Sequence, residues 1–321
     1  MKKKIGFLGL TFFLTLGMTS CGATNHSYDE YRAEMSFKSD SFKIVQLTDL
    51  HCGIQTDMEV LKRYVKKSIT DANNPDLLVF TGDTFMESNR ISVSTLLDYI
   101  DSFNIPFAYT YGNHDLQGNY DYYYISSYIK GLNNSVYIDY DNDNIYGLTN
   151  YYINIKKNGT VVYRVYIIDS NSYYFNGVKY SYDIIHEDQI AHIEDITKHE
   201  GIVPSLAFFH IPLYEFKDAY KEYKAGNVQG RGENNEKCSV GYKRTDAFER
   251  MKKCGVQAMF IGHDHINYTD ILYKDVILSY GIKSSPEIYN YKDIVGYKMI
   301  TLNGFNKITF DNIQSVMYGE F

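Results

Sequence analysis

The chain has no tryptophan, only four cysteines among 321 residues, and no apolar run after its first eighteen positions long enough to cross a membrane. So few cysteines exclude a fold built on disulfides. Lysine and arginine number 32 against 39 acidic residues, a net charge of −7. That balance excludes a nonspecific grip on nucleic-acid phosphates, so no general nucleic-acid partner is expected. There is also no internal repeat and no break in composition to mark a second domain. Tyrosine, at 33 copies, dominates the aromatic residues, a bias that assigns no chemistry. What is present reads as globular: 44% hydrophobic and 22% charged residues, with length enough for one large domain or two small ones around a sizeable core.

The N-terminus stands apart. "MKKK" is a charged start, "IGFLGLTFFLTLGM" is an apolar run too short to span a bilayer comfortably, and "TSCG" places small residues before Cys21. Residues 1–20 thus resemble a bacterial lipoprotein signal, with Cys21 as the lipidated first residue, although Met18 stands where that pattern most often has leucine. An ordinary secretory signal and an uncleaved anchor are the alternatives. All three export the domain, so the expected location is the extracytoplasmic face of the cell membrane, or the exterior if the protein is secreted. Cys52, Cys238 and Cys254 then remain; Cys238 and Cys254 could pair, but buried thiols are the plainer expectation. Residues 21–40 read as a polar tether and 41–321 as the folded domain.

From Ser41 a strand–helix alternation begins. "FKIVQLTD", "DLLVFTGD" and "PFAYTYGNHD" read as strands. "MEVLKRYVKKSIT", with Asp57 as N-cap, and "ISVSTLLDYIDSF" have helical spacing, and "YDYYYISSYIK" reads as a third helix. Further strands are expected in "SVYIDY", "NYYINIKK" and "VVYRVYIIDS", the last two joined by the turn "KNG". A helix from His186 to His199, the strand "SLAFFH", a long polar segment from Tyr214 to Tyr242, the helix "TDAFERMKK", the strand "VQAMFIGHDH" and several short strands follow. The polar segment is too long for a plain connector and reads as a substrate-facing loop. The alternation argues for sheets flanked by helices, in which ligands collect beyond the carboxyl ends of the strands.

Those strand ends carry the chemistry. In order they give Asp49 and His51 ("TDLH"), Asp83 ("TGD"), Asn113, His114 and Asp115 ("YGNHD"), His210 ("FFHIP"), and His263 and His265 ("IGHDH"). Each cluster alone is unremarkable; five in succession, each after an apolar run, are not coincidence. Side chains two apart on an extended backbone point the same way, so Asp49 with His51 and His263 with His265 can converge. Gly82, Gly112 and Gly262 sit where the chain must turn sharply or bring its backbone near an ion. Imidazoles, carboxylates and one amide oxygen, with no thiolate, suit two transition-metal ions from Mn, Fe, Zn or Ni rather than a cysteine-bound structural zinc or an all-oxygen calcium site.

Read in order, D-x-H, G-D, G-N-H-D, H and G-H-x-H resemble the signature of the calcineurin-like metallophosphoesterase superfamily, across Asp49 to His265. The context "LAFFHIPLYEF" to "VQAMFIGHDHIN" is similar to the branch of plant purple-acid-phosphatase-related and yeast Dcr2-like proteins. The resemblance implies an α/β fold, a four-layer α/β/β/α sandwich with a dimetal site at strand carboxyl ends. It implies one metal held by Asp49, His51, Asp83 and His265, the other by Asp83, Asn113, His210 and His263, with Asp83 bridging. Two cations roughly 3.5–4 Å apart lower the pKa of a shared water and clamp the attacking and leaving oxygens. The implied reaction is hydrolysis of a phosphate ester to phosphate and an alcohol. His114 would assist at the leaving group or an equatorial oxygen, and Asp115 would either orient His114 or serve as a capping carboxylate. The purple enzymes lack the first histidine and place a tyrosine three residues after the G-D aspartate. Here His51 is present and Met86 occupies that offset, so a site without the purple colour is expected.

Other residues invite plainer readings. Tyr120 to Tyr128 look half core and half surface; Arg231, Lys237 and Arg244 could meet substrate phosphate or merely be solvated; His186, His192 and His199 read as surface residues; Cys52 reads as packing. Two functional alternatives stay open: a phosphodiesterase or nuclease on the same site, and a non-catalytic surface binding protein retaining the fold.

Overall fold

The computed structural model describes residues 28–118, 122–139, 145–290, 294–304 and 307–318. The signal-like segment, Cys21, the start of the tether, and Tyr120 with Asp121 lie outside the described residues. In chain order the elements are β1 (Arg32–Ser36), β2 (Phe42–Leu47), α1 (Met58–Asp71), β3 (Leu77–Thr81), α2 (Arg90–Asp101), β4 (Phe107–Thr110) and α3 (Tyr122–Lys130). Then come β5 (Asn150–Lys157), β6 (Thr160–Ile168), β7 (Tyr173–Phe175), β8 (Tyr180–Tyr182), α4 (Glu187–Glu200), β9 (Ser205–Phe208) and α5 (Tyr214–Lys224). The last are β10 (Gly230–Arg231), α6 (Ala247–Lys253), β11 (Val256–Ile261), β12 (Asp270–Tyr273), β13 (Val276–Tyr280), β14 (Gly296–Leu302) and β15 (Ile313–Met317).

These strands form two large sheets, ordered β1-β5-β6-β9-β11-β13-β12-β10 and β15-β14-β2-β3-β4, with β7 and β8 as a separate hairpin. Alternation along the strands shows how the layers stack. In β9, Leu206 and Phe208 join the core shared with the second sheet, while Ala207 and Phe209 beside them join a different cluster, with α4, α5 and α6. The eight-stranded sheet is therefore covered on both faces, which is why its central strands read as continuous apolar runs. Helices α1 and α2 present Leu61, Val65 and Ile69, and Val93, Leu96 and Ile100, to the core of the five-stranded sheet. The result is the four-layer α/β/β/α sandwich.

Local signals explain most elements. Asp57 caps α1 by accepting from the Glu59 and Val60 amides at 3.1 Å. Asn158 and Gly159, both at positive φ (53° and 80°), close the β5–β6 hairpin in the turn geometry that asparagine–glycine favours.

Four expectations need correction. "SVYIDY" is not a strand: Ser135 makes one bridge to Phe107, and Asp139 then turns to Ser126 and Lys130 of α3. The stretch read as tether supplies β1, which pairs in parallel with β5. The long polar segment is not all loop, because α5 fills its first third, burying Phe216 and Ala219 at helical spacing. Within that segment Arg231 is bound to Asp270, and Arg244 nearby is bound to Glu215 and Asp218. His192 is likewise no surface residue; its ring lies edge-on to Tyr31 at 4.4 Å.

Candidate metal centre

Strands β2, β3 and β4 of one sheet run parallel to one another, as do β9 and β11 of the other, and they end at the same edge of the sandwich. Polar contacts join the sheets there. Gln46 Nε2 donates to the Ile261 carbonyl at 2.9 Å and Thr110 Oγ1 to the Ile168 carbonyl at 2.9 Å. The loops leaving β2 and β3 stay paired, with the Asp49 amide on the Gly82 carbonyl and the His51 amide on the Asp83 carbonyl.

The donor side chains gather in two buried groups. Asp49, His51 and His265 form one, Asp83, His210 and His263 the other, and within each group the donor atoms lie within 4.8 Å of one another. His51 Nε2 faces His265 Nε2 at 2.9 Å; His263 Nδ1 faces His210 Nε2 at 3.3 Å; Asp83 Oδ2 stands 3.1 Å from His210 Nε2. Asn113 donates from Nδ2 to the Tyr173 hydroxyl at 3.0 Å, while its buried Oδ1 has no hydrogen-bond partner among the described residues. A buried amide oxygen left without a donor is costly unless a cation meets it.

The backbone is held to match. Asp49, His51, Asp83 and His263 lie at φ 54°, 49°, 50° and 78°, the left-handed region, at a cost of about 1–3 kcal/mol each that surrounding structure must offset. A Cβ on Gly262 would stand 2.7 Å from Asp49 Oδ2, and one on Gly112 would strike the Asp83 carboxylate. Glycine is needed at 112 because the backbone passes against the Asp83 carboxylate, and at 262 because it passes against the Thr48 hydroxyl and the Asp49 carboxylate.

The arrangement also selects protonation states. His210 Nδ1–H donates to the Thr81 carbonyl at 2.8 Å and His265 Nδ1–H to the Tyr289 carbonyl at 3.1 Å, leaving Nε2 of each ring as the nitrogen that could coordinate a metal. Burial pushes the His265 pKa down to about 3 and holds His51 and His263 well below the usual range, with Lys283 adding to the effect on His51 and His210 to that on His263. Burial opposes charge on Asp83, but the adjacent His210 holds its carboxyl far below the normal range; burial likewise opposes charge on His210, and Asp83 lifts it to about 10. Nitrogen and oxygen donors, convergent and buried, fit a pair of transition-metal ions.

Asp115 takes the capping role that was one of its expected alternatives. His114, half-buried, bonds through Nδ1 to Gln117 Oε1 at 2.6 Å, with its ring 5.4 Å from that of His51. Asp115 turns inward and accepts from the amides of Asp83 (2.9 Å), Phe85 (2.8 Å) and Gly112 (2.6 Å) and from the Tyr109 hydroxyl (2.9 Å). It braces the β3 and β4 loops.

Several supporting residues escaped the sequence reading. Lys283, fully buried, donates to the Asp49 carbonyl at 2.7 Å, and burial brings its pKa down to about 8. A lone lysine inside "VILSYGIKSS" was the available signal. Asp264, between the paired histidines, faces the opposite way and accepts from the Tyr280 hydroxyl at 2.6 Å. The Tyr182 ring stands edge-on to His263 at 4.3 Å. Cys52, Cys238 and Cys254 are free, buried thiols.

Residues 42–267 match the family model described as Calcineurin-like phosphoesterase. Phosphatase DCR2 of Saccharomyces cerevisiae is 31% identical over 258 residues, covering 70% of this chain and 44% of the yeast protein. Two Arabidopsis thaliana proteins, Probable inactive purple acid phosphatase 29 and 28, are 25% and 26% identical, covering 80% and 77% of this chain and 76% and 71% of their own lengths. The chain thus spans less than half of the yeast relative and about three quarters of the plant ones. With the motif residues gathered at the edge of a four-layer sandwich, the chain belongs to the calcineurin-like phosphoesterase family.

Proposed function

We propose that the protein is a metal-dependent phosphoesterase that hydrolyses phosphate esters at a two-metal centre. The observation that carries this reading is the complete donor set: two buried groups, each drawing residues from both sheets, with the orphaned Asn113 Oδ1 beside them. Bound metals would supply Lewis-acid stabilisation of the phosphoryl oxygens and a water acidic enough to attack near neutral pH. Asp49, His51 and His265 would hold one ion, and His210, His263 and Asn113 the other, with Asp83 between them. His114, fixed through Nδ1 by Gln117, serves at the rim as the group that protonates the departing alcohol oxygen as the P–O bond breaks. Lys283 and Asp115 hold the Asp49 and Asp83 loops so that donor geometry survives turnover.

The two plant relatives carry "inactive" in their names, and a silent binding protein is the competing reading. Loss of donors is what such a role permits, and here all seven are present. With Mn²⁺, the protein is expected to hydrolyse p-nitrophenyl phosphate or its bis-ester, and Asp83→Asn to abolish the activity. A folded, metal-loaded protein inert towards a broad ester panel would favour the silent role.

We also propose export with lipid attachment at Cys21, on the strength of the residues before it. Palmitate labelling in a bacterial host should be lost in Cys21→Ala; labelling that survives the change would refute the anchor.

A further inference from the structure

His51 separates two environments. Its Nε2 faces His265, and its ring forms part of the wall of a cavity of about 480 Å³. That volume lies within the range of about 300–1,000 Å³ typical of small-molecule sites. Gly53, Ile54, Met86 and Ile288 give the rest of the wall an apolar part, and its polar residues are of a particular kind. Gln55, Thr56, Ser88 and Gln117 are neutral hydrogen-bonding residues, Glu87 and Glu287 are carboxylates, and among the described residues no lysine or arginine lines it. Thr56 Oγ1 donates to Glu287 Oε2 at 3.3 Å, and Gln117 also fixes His114, so the cavity begins where the proposed leaving-group histidine stands. Two wall residues, Glu87 (φ 47°) and Ile288 (φ 65°), hold left-handed backbone, a conformation a β-branched residue adopts only under constraint.

An ester held by its phosphate at the metal centre would lay its alcohol half here. Sites that receive a second phosphate or a carboxylate present arginine or lysine. This one presents two carboxylates, which repel a second anion and accept charge-assisted hydrogen bonds from hydroxyl or ammonium groups. We propose that the cavity is the alcohol subsite of the phosphoesterase, selecting a small alcohol that bears hydroxyl or ammonium groups and no anion of its own. The inference rests on the phosphoesterase reading and adds the substrate class.

The test compares four esters on the Mn²⁺-loaded full-length protein: phosphoethanolamine and glucose 6-phosphate against 3-phosphoglycerate and fructose 1,6-bisphosphate. The first pair should exceed the second in kcat/KM by about tenfold or more, the scale of one charge–charge contact across a half-buried site. The double variant Glu87→Gln/Glu287→Gln should shrink that ratio by about tenfold. Calorimetric affinities of the same four, each relative to inorganic phosphate, give a readout that needs no turnover. Equal or better use of the anion-bearing esters, or a ratio unmoved by the double variant, overturns the subsite. If no ester is hydrolysed but the calorimetric preference holds, the phosphoesterase reading falls and the cavity's selectivity survives only as that of a binding site.

Discussion

Asp115 shows how much of the site depends on a residue that touches no substrate. Its two oxygens take three backbone amides from the loops after β3 and β4 and the phenol of Tyr109 in β4 itself. Burial and the nearby charge of Asp83 push its pKa up to about 7, against the pull of those donors. Asp115→Asn would turn an amide NH₂ towards N–H groups, leaving buried donors unmet, at a cost of about 3 kcal/mol. The expected result is a lower denaturant midpoint together with reduced metal content on elemental analysis. Were Asp115 instead the partner of His114, stability would hardly change and the pH profile of kcat would move. The donors themselves were legible because each is a chemically distinctive residue directly after an apolar run. The brace was not, because its meaning exists only once Gly112 and Asp83, 29 residues apart in the chain, stand side by side.

At the scale of elements, period and turn chemistry predicted the strands that are buried on both faces and the helices with capping residues. The misreadings fall where tertiary contact overrides pattern. "SVYIDY" has the composition of a strand, yet β4 offers it one bridge before Asp139 draws the chain towards α3. β1 looks polar because it is an edge strand, exposed on one side and held by register with β5. Just before it, Tyr31 is buried in the core beneath α4, and Arg32 pairs with Glu200 at 2.7 Å. Removing residues 1–40, up to the boundary that composition suggests, would therefore uncover the β5 edge and lose that burial. The loss should be about 3 kcal/mol, lowering Tm by roughly 6–12 °C. An unchanged melting curve would show β1 to be dispensable.

At the scale of the whole molecule, the two sheets are joined by buried polar contacts as well as by their shared core. Lys298 of β14 reaches across to Asp270 of β12 at 2.7 Å, both essentially fully buried, and Asp270 also accepts from Ser279 (2.7 Å) and Arg231 (2.8 Å). Burial pushes the Asp270 carboxyl up, but Lys298, Ser279 and Arg231 together hold it below its ordinary 3.8. A carboxylate with a depressed folded pKa contributes stability above its unfolded value and loses it as the pH falls through the folded one. This contribution should therefore be intact at neutral pH and fade below about pH 4. Asp270→Asn strands a buried ammonium and should cost about 3–5 kcal/mol, whereas Asp270→Leu with Lys298→Met removes both charges and should recover most of that loss. Urea unfolding from pH 7 down to pH 3 separates the cases: the paired protein should lose stability more steeply below pH 4 than the doubly apolar variant. Parallel acid profiles would mean that the sheets are held by apolar packing alone. The candidate metal centre straddles the same junction, so any variant that loosens it should also lower metal affinity, although Asp270 itself belongs to neither donor group.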